Sequence, residues 1–305
     1  MAIHATVAIT ARDKIGESPA WDSRYRRLLW LDHQVGIIHE ARADASSGWR
    51  ETRHWNVHGP TAAAIPRSQG GLVIAAGTDI FFLDEATGQR TPFVSLDVDP
   101  ALIRLNDAKC DSQGRLWAGT IATDLSTRAA LYRIDPNGDV TQMLDGAAIA
   151  NGLDWSPDGS TFYFVDTLAL TIDAFDFDSS KGTLGNRRTL VSILHGEGGA
   201  NGMTVDNEGC LWVAVTGGGE VRRYSPTGTL LQRVLISTSG ATSCAFGGPE
   251  GADLFITSRS GRMPDFARTL LGIPPDKLED NGPQAGALFV CRPGPTGAPA
   301  TPFAA

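Results

Sequence analysis

The sequence predicts an all-β protein with the architecture of a six-bladed β-propeller. Apolar runs rich in aromatic residues recur six times, and their leading residues are 43 to 49 residues apart. A propeller blade of four short strands takes about 40–50 residues, so the interval corresponds to one blade per repeat. Each run is also followed by a second strand-like run that ends in an Asp, Pro or Gly turn, as hairpins require.

Each repeat supplies its own strands. The six leading runs are LLWLD at 28–32, GLVIAA at 71–76, RLWAGT at 115–120, TFYFVDT at 161–167, CLWVAV at 210–215 and DLFITS at 253–258. A last strand at 286–292 is expected to help close the ring. Residues 262–280 depart from the pattern and predict a helical turn or long loop. It is either a surface insertion, the preferred interpretation, or a lid over one face. Without a linker or composition break, residues 1–305 are expected to form one domain.

Composition and charge restrict the class of protein. Of the 305 residues, 42% are hydrophobic and 20% are charged, which is typical of a globular protein. The net charge of -8 and the lack of a Lys/Arg cluster argue against nucleic acid as a partner. No apolar run approaches the roughly 18 residues of a membrane span. We therefore expect a small-molecule substrate and no membrane partner, whereas the oligomeric state is not readable.

The cysteines and the first residues bear on location. Four cysteines lie far apart without CxxC spacing (Cys110, Cys210, Cys244 and Cys291). Reduced thiols packed as small apolar side chains are the preferred interpretation. The first residues, MAIHATVAITARDKIGE, lack the basic and apolar regions of a signal peptide. A cytoplasmic protein is expected.

Three asparagines occupy the same place in successive repeats. Asn106, Asn151 and Asn201 each stand eight residues before the glycine of a turn. In a propeller, this part of each innermost strand faces the central channel. Aligning all repeats gives an axial set of Glu17, Ala62, Asn106, Asn151, Asn201 and Ser243.

Polar side chains in a packed ring need partners. Channel water could supply them, and so could a cation bound by one carboxylate and two or three amide oxygens. The remaining motifs predict little chemistry. GESPA at 16–20 is not a nucleophile elbow, TGGGE at 216–220 is a turn rather than a phosphate cradle, and His195 is the one isolated histidine close to an axial position.

Several motifs resemble one known family, the SMP-30/gluconolactonase/luciferin-regenerating family. The resemblance runs from about residue 15 to 291 and is carried by GESPAW, RLNDAKCDSQGRLWAGT, ALYRIDPNGDV, ANGLDWSPDGSTFYFVDT, ANGMTVDNEGCLWVAV and AFGGPEGADLFITS. Members are six-bladed propellers. The characterised enzymes mostly hydrolyse sugar-acid lactones with one divalent metal ion on the axis.

The resemblance implies roles for individual residues. Glu17 matches the carboxylate metal ligand of the family, and Asn151 matches its amide ligand. Arg104 and Asn106 match residues that hold the substrate's oxygens. Asp124 loosely matches an acidic substrate contact. Ca²⁺ is the expected ion for such an oxygen-rich site, and Zn²⁺, Mn²⁺ and Fe²⁺ remain alternatives.

Asn201 departs from the family pattern. The family has an aspartate here that ligates the metal and is the presumed base, whereas this chain has an amide. Asn201 can still give a carbonyl oxygen to the ion, but it cannot accept a proton at neutral pH. Water activation would then rest on the metal or on another carboxylate such as Glu197. The chain is an engineered Asp-to-Asn form, a natural variant with different chemistry, or a protein that binds without catalysis.

The resulting hypothesis is a metal-dependent lactonase or related hydrolase. Glu17, Asn151 and Asn201 would hold the ion, Arg104 would bind substrate and stabilise charge, and Asn106 and Asp124 would contact substrate. The alternative is a non-hydrolytic or biosynthetic propeller enzyme acting on a non-sugar substrate, or a metal-stabilised binding protein, because fold does not determine function.

Overall fold

Six sheets follow one another along the chain, which confirms the predicted six-bladed β-propeller. The structure is a computed structural model that describes residues 2–44, 48–274 and 282–305. Within this part of the chain, each blade is built from consecutive antiparallel strands, except that the first two strands join the fifth and sixth blades.

The strands are numbered in chain order. Two precede the first blade: β1 (Ile3–His4) and β2 (Thr6–Ile9). Blade 1 contains β3 (Gly16–Asp22), β4 (Arg27–Asp32), β5 (Ile37–Asp44) and β6 (Gly48–Asn56). Blade 2 contains β7 (Thr61–Pro66), β8 (Leu72–Ala76), β9 (Asp79–Leu83) and β10 (Arg90–Ser95). Blade 3 contains β11 (Ile103–Cys110), β12 (Leu116–Ala122), β13 (Ala129–Ile134) and β14 (Val140–Ala147).

The second half of the ring repeats this order. Blade 4 contains β15 (Ala150–Trp155), β16 (Thr161–Asp166), β17 (Thr171–Asp178) and β18 (Thr183–Ser192). Blade 5 contains β19 (Gly199–Val205), β20 (Leu211–Thr216), β21 (Glu220–Tyr224) and β22 (Leu230–Leu235). Blade 6 contains β23 (Ala241–Gly247), β24 (Asp253–Ser258) and β25 (Leu288–Cys291). The six runs recognised in the sequence are β4, β8, β12, β16, β20 and β24, the second strand of each blade.

The ring is closed by the first part of the chain. β2 pairs antiparallel with β25 and becomes the outermost strand of blade 6, while β1 pairs in parallel with β22 of blade 5. The predicted strand at 286–292 is β25, and it is the third strand of its blade. β2 thus supplies the fourth strand of blade 6 from a distant part of the sequence, and β1 covers the outer edge of blade 5.

Buried tryptophans connect the turns to the core in blades 3 and 5. The side chains of Trp117 and Trp212 are fully buried, and each indole nitrogen donates a hydrogen bond of 2.9 Å to a turn aspartate, Asp111 or Asp206. The other oxygen of each aspartate accepts backbone N–H groups of its own turn. The Asp-x-x-Gly-x-x-Trp spacing therefore folds the turn and satisfies a buried indole. The four cysteines are free, as expected, and three of them are buried.

A register shift occurs near the start of every innermost strand. The shifts lie between Glu17 and Ala20, Thr61 and Ala63, Leu105 and Asp107, Ala150 and Leu153, Ala200 and Met203, and Ala241 and Ser243. A β-bulge removes a residue from the ladder and re-aims its side chain. In blades 3 to 6 the residues left unpaired by these shifts include Asn106, Asn151, Asn201 and Thr242.

Residues 296–305 cross one face of the ring. Backbone hydrogen bonds join this segment to blade 5 at Asn207, to blade 1 at Trp21, to blade 2 at Pro66 and to blade 3 at Gly114. Phe303 is fully buried against Phe82 and Phe93 of blade 2. The segment therefore covers one end of the channel and links blades that are far apart in the ring.

The irregular segment between β24 and β25 contains a short helix, α1 (Asp265–Leu270). This agrees with the predicted helical turn in 262–280, of which residues 275–280 lie outside the described part of the chain. No helix among the described residues is long and apolar enough to cross a membrane.

Candidate active site

Two cavities lie along the propeller axis, one on either side of the ring of bulges. The larger, of about 550 Å³, is lined by the loops that precede the innermost strands and by the first residues of those strands. The smaller, of about 240 Å³, is lined by later residues of the same strands and by residues 298–301 of the crossing segment. The larger cavity contains the predicted axial residues, so it is the candidate site.

The structure brings four of the six predicted axial residues together. Glu17, Asn106, Asn151 and Asn201 all line the larger cavity. Ala62 is buried and does not line it. The alignment in blade 6 was wrong by one residue: Thr242, the bulged residue, lines the site, whereas Ser243 is paired and lines the smaller cavity. The sequence spacing could not show which residue the bulge leaves unpaired.

Glu17 is the only carboxylate among the described residues that line the cavity. Burial raises its pKa well above the ordinary value, and the nearby charge of Asp107 raises it further. The backbone N–H of Ser18 and the guanidinium of Arg259 act in the opposite direction. A carboxylate in this environment needs positive charge to remain ionised, and a bound cation would supply it.

The amide side chains are held by neighbouring groups. Asn151 donates from Nδ2 to Oγ1 of Thr167 at 3.0 Å, and Asn106 donates from Nδ2 to the carbonyl of Ala150 at 3.1 Å. Oδ1 of Asn201 is buried and has no hydrogen-bond partner among the described residues. A buried carbonyl oxygen is unfavourable unless a donor or a cation lies beside it.

The donor set fits a hard divalent cation. One carboxylate side chain and two amide side chains line the cavity, and such cations prefer oxygen ligands. The orphaned oxygen of Asn201 is the observation that favours a ligand there. The described residues contain no group of three His, Cys, Asp or Glu side chains that could hold a metal, so the candidate ligands here are one carboxylate and two amides.

His33, which was not among the residues predicted from the sequence, also lines the cavity, next to Arg104. Nη1 of Arg104 donates a 2.7 Å hydrogen bond to Nε2 of His33, and both residues line the cavity. Burial lowers the pKa of His33 to about 3, with a further contribution from the charge of Arg104. His33 is therefore neutral at physiological pH and accepts the hydrogen bond. Burial also lowers the pKa of Arg104.

The repeats of the sequence also contain a pattern that indicates His33 as a site residue. His33 follows Asp32 at the end of β4, as Thr167 follows Asp166 at the end of β16. In both blades the aspartate accepts two backbone N–H groups from the loop before the innermost strand. Aligning the ends of the second strands as well as the innermost strands would have placed His33 at the site.

Three residues considered in the sequence lie outside the cavity. Asp124 is exposed and pairs with Arg128, whereas its neighbours Thr123 and Leu125 line the cavity, so the structure does not bring Asp124 into the cavity. Glu197 lies in a separate crevice, where it accepts from Nη1 of Arg222 at 2.7 Å. It is therefore not the replacement carboxylate. His195 is exposed and does not line the cavity.

Comparison with known proteins agrees with this architecture. Residues 15–260 match the SMP-30/Gluconolactonase/LRE-like region. Regucalcin of Danio rerio is 36% identical over 291 residues, which cover 94% of this chain and 93% of the relative. Regucalcin of Gallus gallus is 36% identical over 301 residues, or 96% of each chain.

A solved structure extends the likeness to the whole ring. Regucalcin from Agrobacterium tumefaciens, described as a calcium-binding protein, has a TM-score of 0.87 and 27% identity, with all of both chains covered. The fold and these relatives define a lactonase-like β-propeller. This chain belongs to the SMP-30/gluconolactonase/LRE-like family.

Proposed function

We propose that this protein is a divalent-metal-dependent hydrolase that opens a lactone. The observation that carries the proposal is the buried, unpartnered Oδ1 of Asn201, which shares one cavity with Glu17 and Asn151. Arg104 and Asn106 line the same cavity, so candidate ion ligands and candidate substrate contacts lie together. Metal-dependent hydrolysis of a cyclic ester requires both the ion ligands and the substrate contacts.

Glu17, Asn151 and Asn201 would hold the ion. Ca²⁺ is the expected ion because all three ligands are oxygens, and because a related solved structure is described as a calcium-binding protein. When bound, such an ion would polarise the lactone carbonyl and lower the pKa of water. With a single charged ligand, affinity for the ion is expected to be lower than in a site that has two carboxylates.

Arg104 and Asn106 would orient the substrate and stabilise charge. The hydrogen bond to His33 and a second one of 3.3 Å to the carbonyl of Leu105 hold the Arg104 guanidinium in place. Its remaining N–H groups can stabilise a developing oxyanion without reorganising. Asn106 has one N–H committed to Ala150, which leaves its carbonyl oxygen and second N–H for a substrate oxygen.

Asn201 would limit the rate. A general base contributes about 10²–10⁴-fold, and an amide cannot act as one. Glu17 and His33 are the remaining proton acceptors among the described residues that line the cavity. Glu17 is assigned to the ion, and the low pKa of His33, about 3, makes it a weak base. We infer that the chain as it stands is impaired as a hydrolase.

The experiment is hydrolysis of a lactone panel, followed with a pH indicator, in the presence of Ca²⁺, Zn²⁺ or Mn²⁺. Asn201→Asp is expected to raise kcat at least about 100-fold, because it restores a base beside the ion. Asn151→Asp is the matched control, since it adds the same charge at another amide ligand. An equal rise in both variants would show that ion affinity, rather than a base, limits the rate.

A protein that binds the ion without hydrolysis is the second candidate, and the amide at Asn201 is the observation that favours it. Calorimetric binding of Ca²⁺ without hydrolysis of any lactone by either this chain or Asn201→Asp would support that function and reject the hydrolase. A biosynthetic enzyme acting on a non-sugar substrate would give the same negative result in the hydrolysis assay.

A further inference from the structure

The cavity has a polar floor and a largely apolar side. The floor contains the axial residues and Arg104, whereas apolar residues from blades 3 and 4 and from the segment before β25 line one side: Ile121, Leu125, Ile149, Leu168, Met263 and Phe266. Phe266 lies on α1 and is 55% exposed. A large aromatic side chain exposed at the opening of a cavity is typical of a ligand contact.

This apolar side is a fixed part of the structure. Met263 and Leu271 are buried and form one cluster with Leu168 and Ala267. The backbone N–H of Gly196 donates to the carbonyl of Leu271 at 2.9 Å, and that of Gly261 donates to the carbonyl of Lys14 at 3.0 Å. Residues 261–271 are therefore attached at both ends and form a wall of the cavity, rather than a surface insertion remote from the site.

Two features noted in the sequence, the TGGGE turn and His195, pack against this wall of the cavity. Gly217, in the TGGGE turn, has a φ of +83° that favours glycine, and a Cβ there would lie 2.4 Å from Cδ1 of Ile273. A Cβ on Gly272 would lie 2.2 Å from the ring of His195. The glycine-rich turn and His195 thus have packing roles that hold residues 271–273 against blade 5.

The two arginines on this side each have a hydrogen bond within their own segment. Nη2 of Arg262 donates to Asp265 at 2.9 Å, and Nε of Arg259 donates to the carbonyl of Gly261 at 2.7 Å. A polyhydroxylated substrate would place several hydroxyl groups against apolar side chains here. Each buried hydroxyl without a partner costs about tenfold in affinity.

We propose that the substrate is a lactone with an alkyl or aryl substituent, whose ring lies on the polar floor and whose substituent packs against Phe266 and the apolar side. This rests on the proposed lactone hydrolysis and names its substrate class. Phe266 is the specificity-determining residue, because it is the aromatic side chain of the cavity that has free surface to cover.

Calorimetric binding of lactams to the Ca²⁺-loaded protein tests the proposal, because a lactam keeps the ring and carbonyl yet resists opening. The probes are δ-valerolactam, its 6-hexyl derivative and a polyhydroxylated δ-lactam. The hexyl probe is expected to bind at least about tenfold more tightly than the unsubstituted ring, and the polyhydroxylated probe more weakly than the hexyl one. Phe266→Ala should reduce the advantage of the hexyl group by about tenfold.

Leu270→Ala is the matched control. Leu270 is on the same helix and 51% exposed, but it does not line the cavity, so its loss should leave the hexyl advantage unchanged. The proposal would be overturned by tighter binding of the polyhydroxylated probe, by equal effects of the two substitutions, or by no binding of any probe. If the expected ranking holds but no lactone is hydrolysed, only the proposed reaction fails.

Discussion

Nη1 of Arg104 lies 2.7 Å from Nε2 of His33, and the hydrogen bond between them joins blade 3 to blade 1 inside the candidate site. Because a guanidinium always donates, His33 must accept and therefore stays neutral. Burial together with the charge of Arg104 lowers the pKa of His33 to about 3, from an ordinary value of 6.5. The hydrogen bond orients the Arg104 side chain, and the lowered pKa of His33 makes the stability of the folded protein depend on pH.

The first prediction concerns that dependence. In the unfolded chain His33 takes up a proton near pH 6.5, whereas in the folded chain it does so only near pH 3. Stability linked to this group is therefore present above pH 6.5 and is lost as pH falls from about 6.5 toward 3. The slope approaches about 1.4 kcal/mol per pH unit. Denaturant unfolding at pH 7 and pH 4.5 measures the loss.

His33→Gln is the informative variant, since glutamine can accept from Arg104 but does not titrate. Between pH 7 and pH 4.5 this variant should lose about 2 kcal/mol less stability than the unsubstituted protein. His54→Gln serves as the control, because His54 is exposed on β6 and outside the cavity. Equal pH dependence of the unsubstituted protein and His33→Gln would show that His33 is not the group responsible.

The second prediction concerns the ion. Glu17 is the only carboxylate among the described residues that line the cavity, so Glu17→Gln should abolish stoichiometric Ca²⁺ binding measured by calorimetry. Glu197→Gln is the matched control, because that carboxylate lies in a separate crevice with Arg222. Retention of full binding by Glu17→Gln would reject the assigned site.

The period of the strands was sufficient to predict the ring, because each blade repeats the same hairpin chemistry within 43 to 49 residues. It also placed Glu17, Asn106, Asn151 and Asn201 at one cavity. It did not distinguish Thr242 from Ser243, since a bulge changes which side chain faces the channel without changing the spacing of the turns.

Contacts between distant parts of the chain were beyond the local pattern. Residues 296–305 have no strand periodicity, yet they cross the ring and bury Phe303 against blade 2. Likewise, nothing in the sequence around Phe266 indicates that α1 lines the cavity, because that placement depends on the packing of Leu271 and Ile273. Such positions are fixed by tertiary contacts, which composition and spacing do not encode in a readable form.

The third prediction compares a turn whose aspartate is buried with a turn whose aspartate is exposed. Asp111 is fully buried and accepts from Nε1 of Trp117 at 2.9 Å, from Nε of Arg115 at 2.6 Å and from backbone groups of its turn. Asp111→Ala leaves a buried indole without its acceptor and removes the carboxylate from the buried Arg115 guanidinium, which keeps the carbonyl of Ser179, and should lower the free energy of unfolding by about 3–5 kcal/mol.

Asp158, in the corresponding turn of blade 4, is exposed and accepts mainly from Ser156 and Ser160, so Asp158→Ala should cost under about 1 kcal/mol. Blade 4 has Phe162 in place of a tryptophan at the start of its second strand, and no indole in the described part of the chain donates to this aspartate. Denaturant unfolding of both variants measures the difference. Similar losses would mean that the aspartate acts only through turn geometry, whereas a large loss confined to Asp111→Ala would show that the buried Trp117 and Arg115 require it.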